Sequence, residues 1–338
     1  MEIVSGRQES VERKLVAIRI ADYDPAAKAP VLFGDPAGDV LMADGDLILA
    51  AGEVGAGKSI TAADAALAAA FGQPLLGFPC PKQRKVILVL ADGDGEMPSR
   101  RRIFRLGAGR ELTPEQIDTC GRFVLFVPSA FSLDDPADFR ELKRELADFD
   151  PDFVGIESIA SLMGPKRDPY NQADAADFMG RRLRPLQVRP DDTRRTMLVG
   201  AHLIKMRSGK AGKRLKDRVA TSFYTLGSVD AAIGLDAVED ERFVVRMVKR
   251  TRWGCAFAPF LVIVRGQKDE PLSLFNAGIV GDDAKERRRP AIETAVKIIE
   301  KAQETAPDLT RAAAVKLCVA AQVTRSTAYR ACDNMGIA

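Results

Sequence analysis

Apolar residues fall in short, nearly unbroken runs, and longer amphipathic stretches separate them. The runs are the "LILA" of Leu47 to Ala50 and those inside "KVILVLADGDGEMP", "RFVLFVPS", "PDFVGIES" and "RTMLVGAH". Runs this short, closed by Gly, Pro, Asp or Ser, predict strands buried on both faces. "PADFRELKRELADF" and "QADAADFMGRRLRPLQ" lie between them and read as helices. Strands alternating with helices predict an α/β fold around a mostly parallel sheet covered on both faces. Ligands of such sheets bind at the carboxyl ends of the strands, so the polar residues just past each run are the first candidates for chemistry. They are Asp92, Asp94 and Glu96, then Glu157, then His202, the single histidine of the chain.

The first run leads into the most specific pattern. "DLILAAGEVGAGKSITAADAALAAAFG" predicts a buried strand, a glycine-rich turn and an alanine-rich helix, in that order. Gly52, Glu53, Val54, Gly55, Ala56, Gly57, Lys58 and Ser59 satisfy G-x-x-x-x-G-K-[ST], and Ile60 carries the loop into the helix. The glycines let successive backbone N–H groups converge on phosphate oxygens, and the helix presents its positive end to them. Lys58 is expected at the β and γ phosphates, and the Ser59 hydroxyl at Mg²⁺. Such a loop predicts nucleotide binding without saying what hydrolysis drives.

Together with "GEVGAGKS", the stretches "DGEMPSRRRIFRLG", "FVGIESIASLMG", "GAHLIKM" and "VKRTRWG" resemble the RecA-like P-loop NTPase core of hexameric plasmid and phage replicative helicases, over roughly residues 30 to 270. The resemblance implies ATP and Mg²⁺ as cofactors, and it gives each candidate a role. Glu96, within "DGEMP", is implied as the base that activates the attacking water, which needs a carboxylate one water away from the γ-phosphate. An ungapped register from the preceding strand puts Asp92 or Asp94 there instead. Glu157 stands where the family carries an aspartate that holds the Mg²⁺ shell; pairing with a nearby arginine is the structural alternative. His202 falls where these ATPases have Gln or His, with Lys205 three positions on. A neutral imidazole there can bond the γ-phosphate and pass its loss to the adjoining loop. In "VKRTRWG", Arg252 is implied as a finger reaching the neighbouring subunit's nucleotide, with Arg250 in place of the usual lysine. Alternating basic residues on an edge strand are the bland reading. A finger acting between subunits implies a homo-oligomer, and a closed ring is its symmetric form.

Charge and composition change the picture in two places. The 338 residues carry a net charge of only +3, too little by itself to argue for nucleic acid. Between Lys205 and Arg218, however, seven basic residues (Lys205, Arg207, Lys210, Lys213, Arg214, Lys216 and Arg218) meet one acidic residue. This loop and "MGPKRDPYNQADAAD" correspond to the channel-facing segments of ring helicases, and such composition suits tracking a phosphate backbone. Aromatics are few there, Tyr170 and then Phe223 and Tyr224, so stacking is secondary. From Gly281, "GDDAKERRRP" reads as a charged linker. Three short helical patterns follow, with Ala313, Leu317 and Ala320 on one face and Thr324 capping the last. They resemble a helix-turn-helix module whose second helix brings Arg325, Ser326, Thr327 and Tyr329 to DNA. The expected organisation is an N-terminal arm over residues 1–30, the ATPase domain over 31–280 and the helical module over 281–338. Five scattered cysteines predict free thiols. No apolar run has membrane-spanning length, and the start lacks a signal-peptide block, so a cytoplasmic chain is expected.

The leading expectation is therefore an ATP-driven motor on single-stranded DNA, a homohexameric helicase with a replication initiator or primase as a candidate partner. The alternative is an assembly, regulatory or recombinase-like ATPase with slow hydrolysis. A metabolic kinase fits poorly, because no acceptor-binding lid is recognisable.

Overall fold

The computed structural model describes residues 30–53, 55–91, 95–128, 131–165, 167–168, 171–202, 223–239, 241–266, 270–280, 295–303, 310–321, 328, 331–332 and 335. A hairpin of β1 (Val31–Gly34) and β2 (Val40–Ala43) leads into β3 (Leu47–Gly52) and helix α1 (Lys58–Phe71). Then come β4 (Val86–Leu90), α2 (Glu96–Gly109), α3 (Pro114–Asp118), β5 (Phe123–Phe126), α4 (Pro136–Phe149), β6 (Phe153–Glu157) and β7 (Thr196–His202). The last strands are β8 (Ala231–Glu239), β9 (Arg242–Lys249), β10 (Phe260–Arg265) and β11 (Ser273–Ile279). Nine strands form one sheet in the order β11-β10-β9-β8-β3-β7-β6-β4-β5. Neighbours from β8 to β5 are parallel, as the alternating pattern predicts, whereas β9, β10 and β11 extend the sheet antiparallel. The chain is thus mixed α/β with a large, mostly parallel central sheet.

Each strand residue chooses one of two cores by its parity, because successive side chains point to opposite faces. Ile48, Ala50, Leu88 and Leu198 pack under α1, while Leu47, Leu49, Ile87, Val154, Ile156 and Val199 meet Leu142, Leu146, Phe178 and Leu183 on the other side. Alanine dominates α1, where Ala62, Ala63 and Ala65 to Ala70 are all buried. Alanine has the best helix propensity and the smallest apolar side chain, so this helix is stable and also lies close to the sheet. Asp135 accepts hydrogen bonds from the N–H groups of Ala137 and Asp138 and starts α4, and Leu142 and Leu146 form its inner face.

Two expectations need correction. The pair Arg250 and Arg252 does not belong to an edge strand: β9 ends at Lys249 and runs inside the sheet between β8 and β10. The chain then turns, with Gly254 N–H donating to Thr251 O at 2.9 Å. In the tail, the buried positions of the helix Arg311–Ala320 are Ala314, Val315 and Cys318, one step round from the expected stripe, and Leu317 is 43% exposed. Ala314, Val315 and Cys318 join Ala295, Ile299, Ala328, Ala331 and Cys332 in one core, and Leu317 lies on the helix face turned away from it. Thr324 lies outside the described residues, as do residues 1–29 and the linker after Gly281.

Among the described residues no helix is long and apolar enough to cross a membrane. All five cysteines are free thiols, with Cys318 and Cys332 buried.

Candidate nucleotide site

The four strands β3, β4, β6 and β7 run in one direction, so Gly52, Leu90, Glu157 and His202 end at the same edge of the sheet. At that edge the chain leaves β3, turns through Gly55 and Gly57, and enters α1. Gly57 has φ 81° and ψ 12°, a left-handed conformation that glycine adopts without a Cβ penalty. A Cβ there would also fall 2.6 Å from the Phe243 ring. No side chain caps the helix and its first turn holds no acidic residue. Its first N–H groups and the positive end of its dipole are therefore left for an anion.

Lys58 is buried, and its Nζ donates to the carbonyls of Gly52 at 3.1 Å and Glu53 at 2.9 Å. These carbonyl oxygens hold the ammonium against the start of the loop. Ser59, next on the helix, donates its hydroxyl to Glu157 Oε1 at 3.3 Å. Glu157 closes β6 with only 1% of its surface exposed, and its carbonyl accepts from Ala91 N–H at 2.7 Å. The peptide bond after it is cis. A hydroxyl and a carboxylate oxygen at this separation are hard oxygen donors, the set Mg²⁺ takes while keeping several waters. Ser59 and Glu157 thus suit the metal that the loop implies.

His202 stands opposite Gly52 in the β3–β7 register and is half buried, directly beside the start of the loop. Glu96 opens α2 and is exposed; it lines a hollow of about 380 Å³ with Arg100, Ile103, Phe104 and Phe123. Asp92, Asp94 and Val54 lie outside the described residues.

Residues 34–208 match the family model of the AAA domain, more than half of the 338 residues. The chain belongs to the AAA domain family. It is a P-loop NTPase, and membership of this family supports ATPase activity. No curated protein matches the chain.

The arginine candidates of this AAA-domain ATPase sit at the other end of the sheet. Arg252 Nε lies 2.9 Å from Oδ1 of Asp46, the residue before β3, and its Nη2 donates to Asp44 O at 3.1 Å. Arg250 is exposed. Burial pushes the Asp46 carboxyl up to about 6, and the charge of Arg252 works against that rise. In the segment after β6, Arg167 is held by Asp134 at 2.7 Å and Asp177 at 2.8 Å. The basic residues from Lys205 to Arg218, and Arg325 to Thr327 and Tyr329 in the tail, lie outside the described residues.

Sequence reasoning missed a cleft of about 1250 Å³ beside the loop. Gly55, Gly57 and Phe243 form one wall, and Arg101, Arg102 and Arg105 of α2 form another. Arg105 ties α2 to the turn before β11, its Nε donating to Glu270 O at 2.8 Å. The run "RRRIFR" was the available signal, but nothing in its spacing says that the distant β9 packs opposite it.

Proposed function

We propose that this ATPase is a motor on single-stranded DNA that works as a homohexameric ring, of the replicative helicase type carried by plasmids, phages and mobile elements. One observation carries the reading. Arg252 is anchored at the amino end of β3 and the phosphate loop leaves its carboxyl end, six residues away. At about 3.3 Å per residue that is about 20 Å, too far for Arg252 to reach its own subunit's γ-phosphate. In this reading Arg252 exchanges its pairing with Asp46 for a neighbouring subunit's nucleotide, and a ring gives every subunit such a neighbour.

In this reading the N–H groups of the loop and Lys58 bind the phosphates, and Ser59 with Glu157 hold Mg²⁺. The ion screens phosphate charge when bound. Glu96, or Asp92 or Asp94, takes the proton of the attacking water. His202 touches the γ-phosphate from the end of β7, and the basic segment from Lys205 to Arg218, which follows β7 in the sequence, holds the DNA backbone. The tail after residue 281 binds DNA or a replication partner such as an initiator or primase, and residues 1–30 are an arm onto the neighbouring subunit.

The test is ATP turnover with and without single-stranded DNA, joined to electron microscopy with a non-hydrolysable ATP analogue. DNA-stimulated turnover, rings, and loss of stimulation when the basic residues from Lys205 to Arg218 are made neutral are the expected results. Equal turnover with and without DNA, and unchanged DNA affinity in those variants, would sink the motor. A second reading, a regulator with slow hydrolysis, is favoured by the longer Glu157 side chain at the metal position. Faster turnover in Glu157→Asp would favour it.

A further inference from the structure

We infer that Gly200 is a positioning residue for the metal-binding carboxylate, because the space of its missing Cβ is the seat of Glu157. Strands β6 and β7 are parallel neighbours whose last paired residues are Ile156 and Val199, so Glu157 and Gly200 come next, side by side. A Cβ built on Gly200 falls 1.6 Å from Glu157 Oε2, 2.6 Å from its Cδ and 3.1 Å from its Oε1. All three of the nearest heavy atoms thus belong to one carboxyl group. Gly200 does not adopt the left-handed backbone of the positive-φ glycines, so its conformation does not require glycine. A glycine inside a strand loosens it and marks a close approach. Here the approaching group is a carboxylate.

Gly155 gives the contrast. It lies two residues before Glu157 on the same face of β6, and a Cβ there would meet Leu88 Cδ1 at 2.9 Å, an apolar packing contact. Gly155 serves the core; Gly200 serves the group that Ser59 touches. A methyl at position 200 must drive the carboxylate away by about 2 Å to reach ordinary contact. The tip of a glutamate swings at little expense to the fold, but its 3.3 Å contact with Ser59 does not survive such a displacement. An aspartate at 157, one methylene shorter, would withdraw from the space and leave room for the methyl. Glu157 and Gly200 therefore act as one unit, and the longer carboxylate is possible because β7 gives up a side chain.

The inference rests on the reading of Ser59 and Glu157 as the Mg²⁺ site. The experiment uses the full chain in four forms: unaltered, Gly200→Ala, Glu157→Asp, and both changes together. Measured for each are the Mg²⁺ needed for half-maximal ATP turnover, ATP binding in EDTA, and the melting temperature. Gly200→Ala alone is expected to raise the Mg²⁺ requirement about tenfold or more while ATP binding in EDTA stays within about twofold. In the Glu157→Asp background the same substitution is expected to change the Mg²⁺ requirement by less than about twofold. An equal factor in both backgrounds overturns the inference. If Gly200→Ala melts early, relief by Glu157→Asp supports the pairing, and an equal loss in both backgrounds overturns it. An unaltered chain that binds no ATP overturns the nucleotide reading and this inference with it; normal binding with uncoupled substitutions overturns the inference alone.

Discussion

The two ends of β3 are built on opposite plans. At the amino end, carboxylates and cations are matched within the subunit. Arg84 pairs with Asp44 at 2.8 Å, the Thr196 hydroxyl donates to Asp44 at 2.9 Å and accepts from Gly45 N–H at 2.8 Å, and Gln187 donates to Gly45 O at 2.8 Å. Arg184 grips Asp230 with two hydrogen bonds of 2.7 and 3.0 Å, and Asp230 accepts from the N–H of Leu47 at 2.8 Å. At the carboxyl end the helix start carries no side-chain cap, and the buried Lys58 rests on two carbonyls that a phosphate can replace. A helix start without a cap gives up about 1 kcal/mol of stability that a Ser or Asp cap would supply. One end of the strand fixes the fold; the other keeps its donors for a visitor.

The sharpest way to break this contrast is Lys58→Ala. If the carboxyl end is kept for ligand, turnover should fall by about 10² to 10³ while stability hardly changes. Steady-state ATP hydrolysis and a melting curve check it, and a large loss of stability with normal turnover in the folded fraction would make Lys58 structural.

The amino end should respond through pH. An ordinary aspartate titrates at 3.8, and burial raises Asp46 to about 6. Between those values the folded chain holds a proton that the unfolded chain has lost, so stability falls as pH rises through the window and levels off above it. A shift of this size corresponds to about 3 kcal/mol. Asp46→Asn removes the titration, so its stability relative to the unaltered chain should improve by about that amount between pH 4 and pH 7. Urea unfolding at both values measures it, and a difference independent of pH would refute the assignment.

Arg184→Ala should have a smaller effect of the other sign. Burial pushes the Asp230 carboxyl up, but hydrogen bonds from Arg184 and Leu47 outweigh it and hold the group below its ordinary value. That pairing contributes stability above the ordinary carboxylate range and loses it as pH falls. Removing Arg184 from this half-buried pair should destabilise by about 2 kcal/mol at pH 7, and by less in acid. Turnover per folded molecule should stay the same.

The sequence made one of these ends far more legible than the other. The phosphate loop is a contiguous stretch, so Gly52 to Ser59 could be read in order, and the strand endings pointed to Glu157 and His202 because their runs are apolar and short. The amino-end cluster joins Asp44, Arg84, Arg184, Thr196 and Arg252, which are separated by long stretches of chain and meet only once the sheet order is known. The partnership of Gly200 with Glu157 was hidden for the same reason: "RTMLVGAH" shows a glycine, but not the neighbouring strand that needs its space. The antiparallel β9 to β11 extension was missed because a charge interrupts β9, "RFVVRMVK", polar and small residues break up β11, "SLFNAGI", and the apolar run of β10, "FLVIVR", carries no sign of its direction. The tail stripe was misread by one position because Leu317 has the apolar character of a core residue, while small residues with a weaker apolar signal, Ala314 and Cys318, take the buried face.

His202 gives the smallest effect and the finest test of the carboxyl end. It lies beside Gly52, close enough to the loop to take part in nucleotide binding or in signalling from it. If it only packs, His202→Ala should shift melting and leave turnover alone. If it joins the γ-phosphate to the segment that follows β7, ATP affinity should hold within about twofold while DNA stimulation of turnover falls by about tenfold, roughly 1.4 kcal/mol of coupling. His202→Gln separates the two further, because an amide keeps a neutral donor and acceptor at nearly the same reach. Restored stimulation in the glutamine variant, with no restoration in His202→Asn, would tie the effect to the position of a hydrogen-bonding group at the end of β7 rather than to the filling of space.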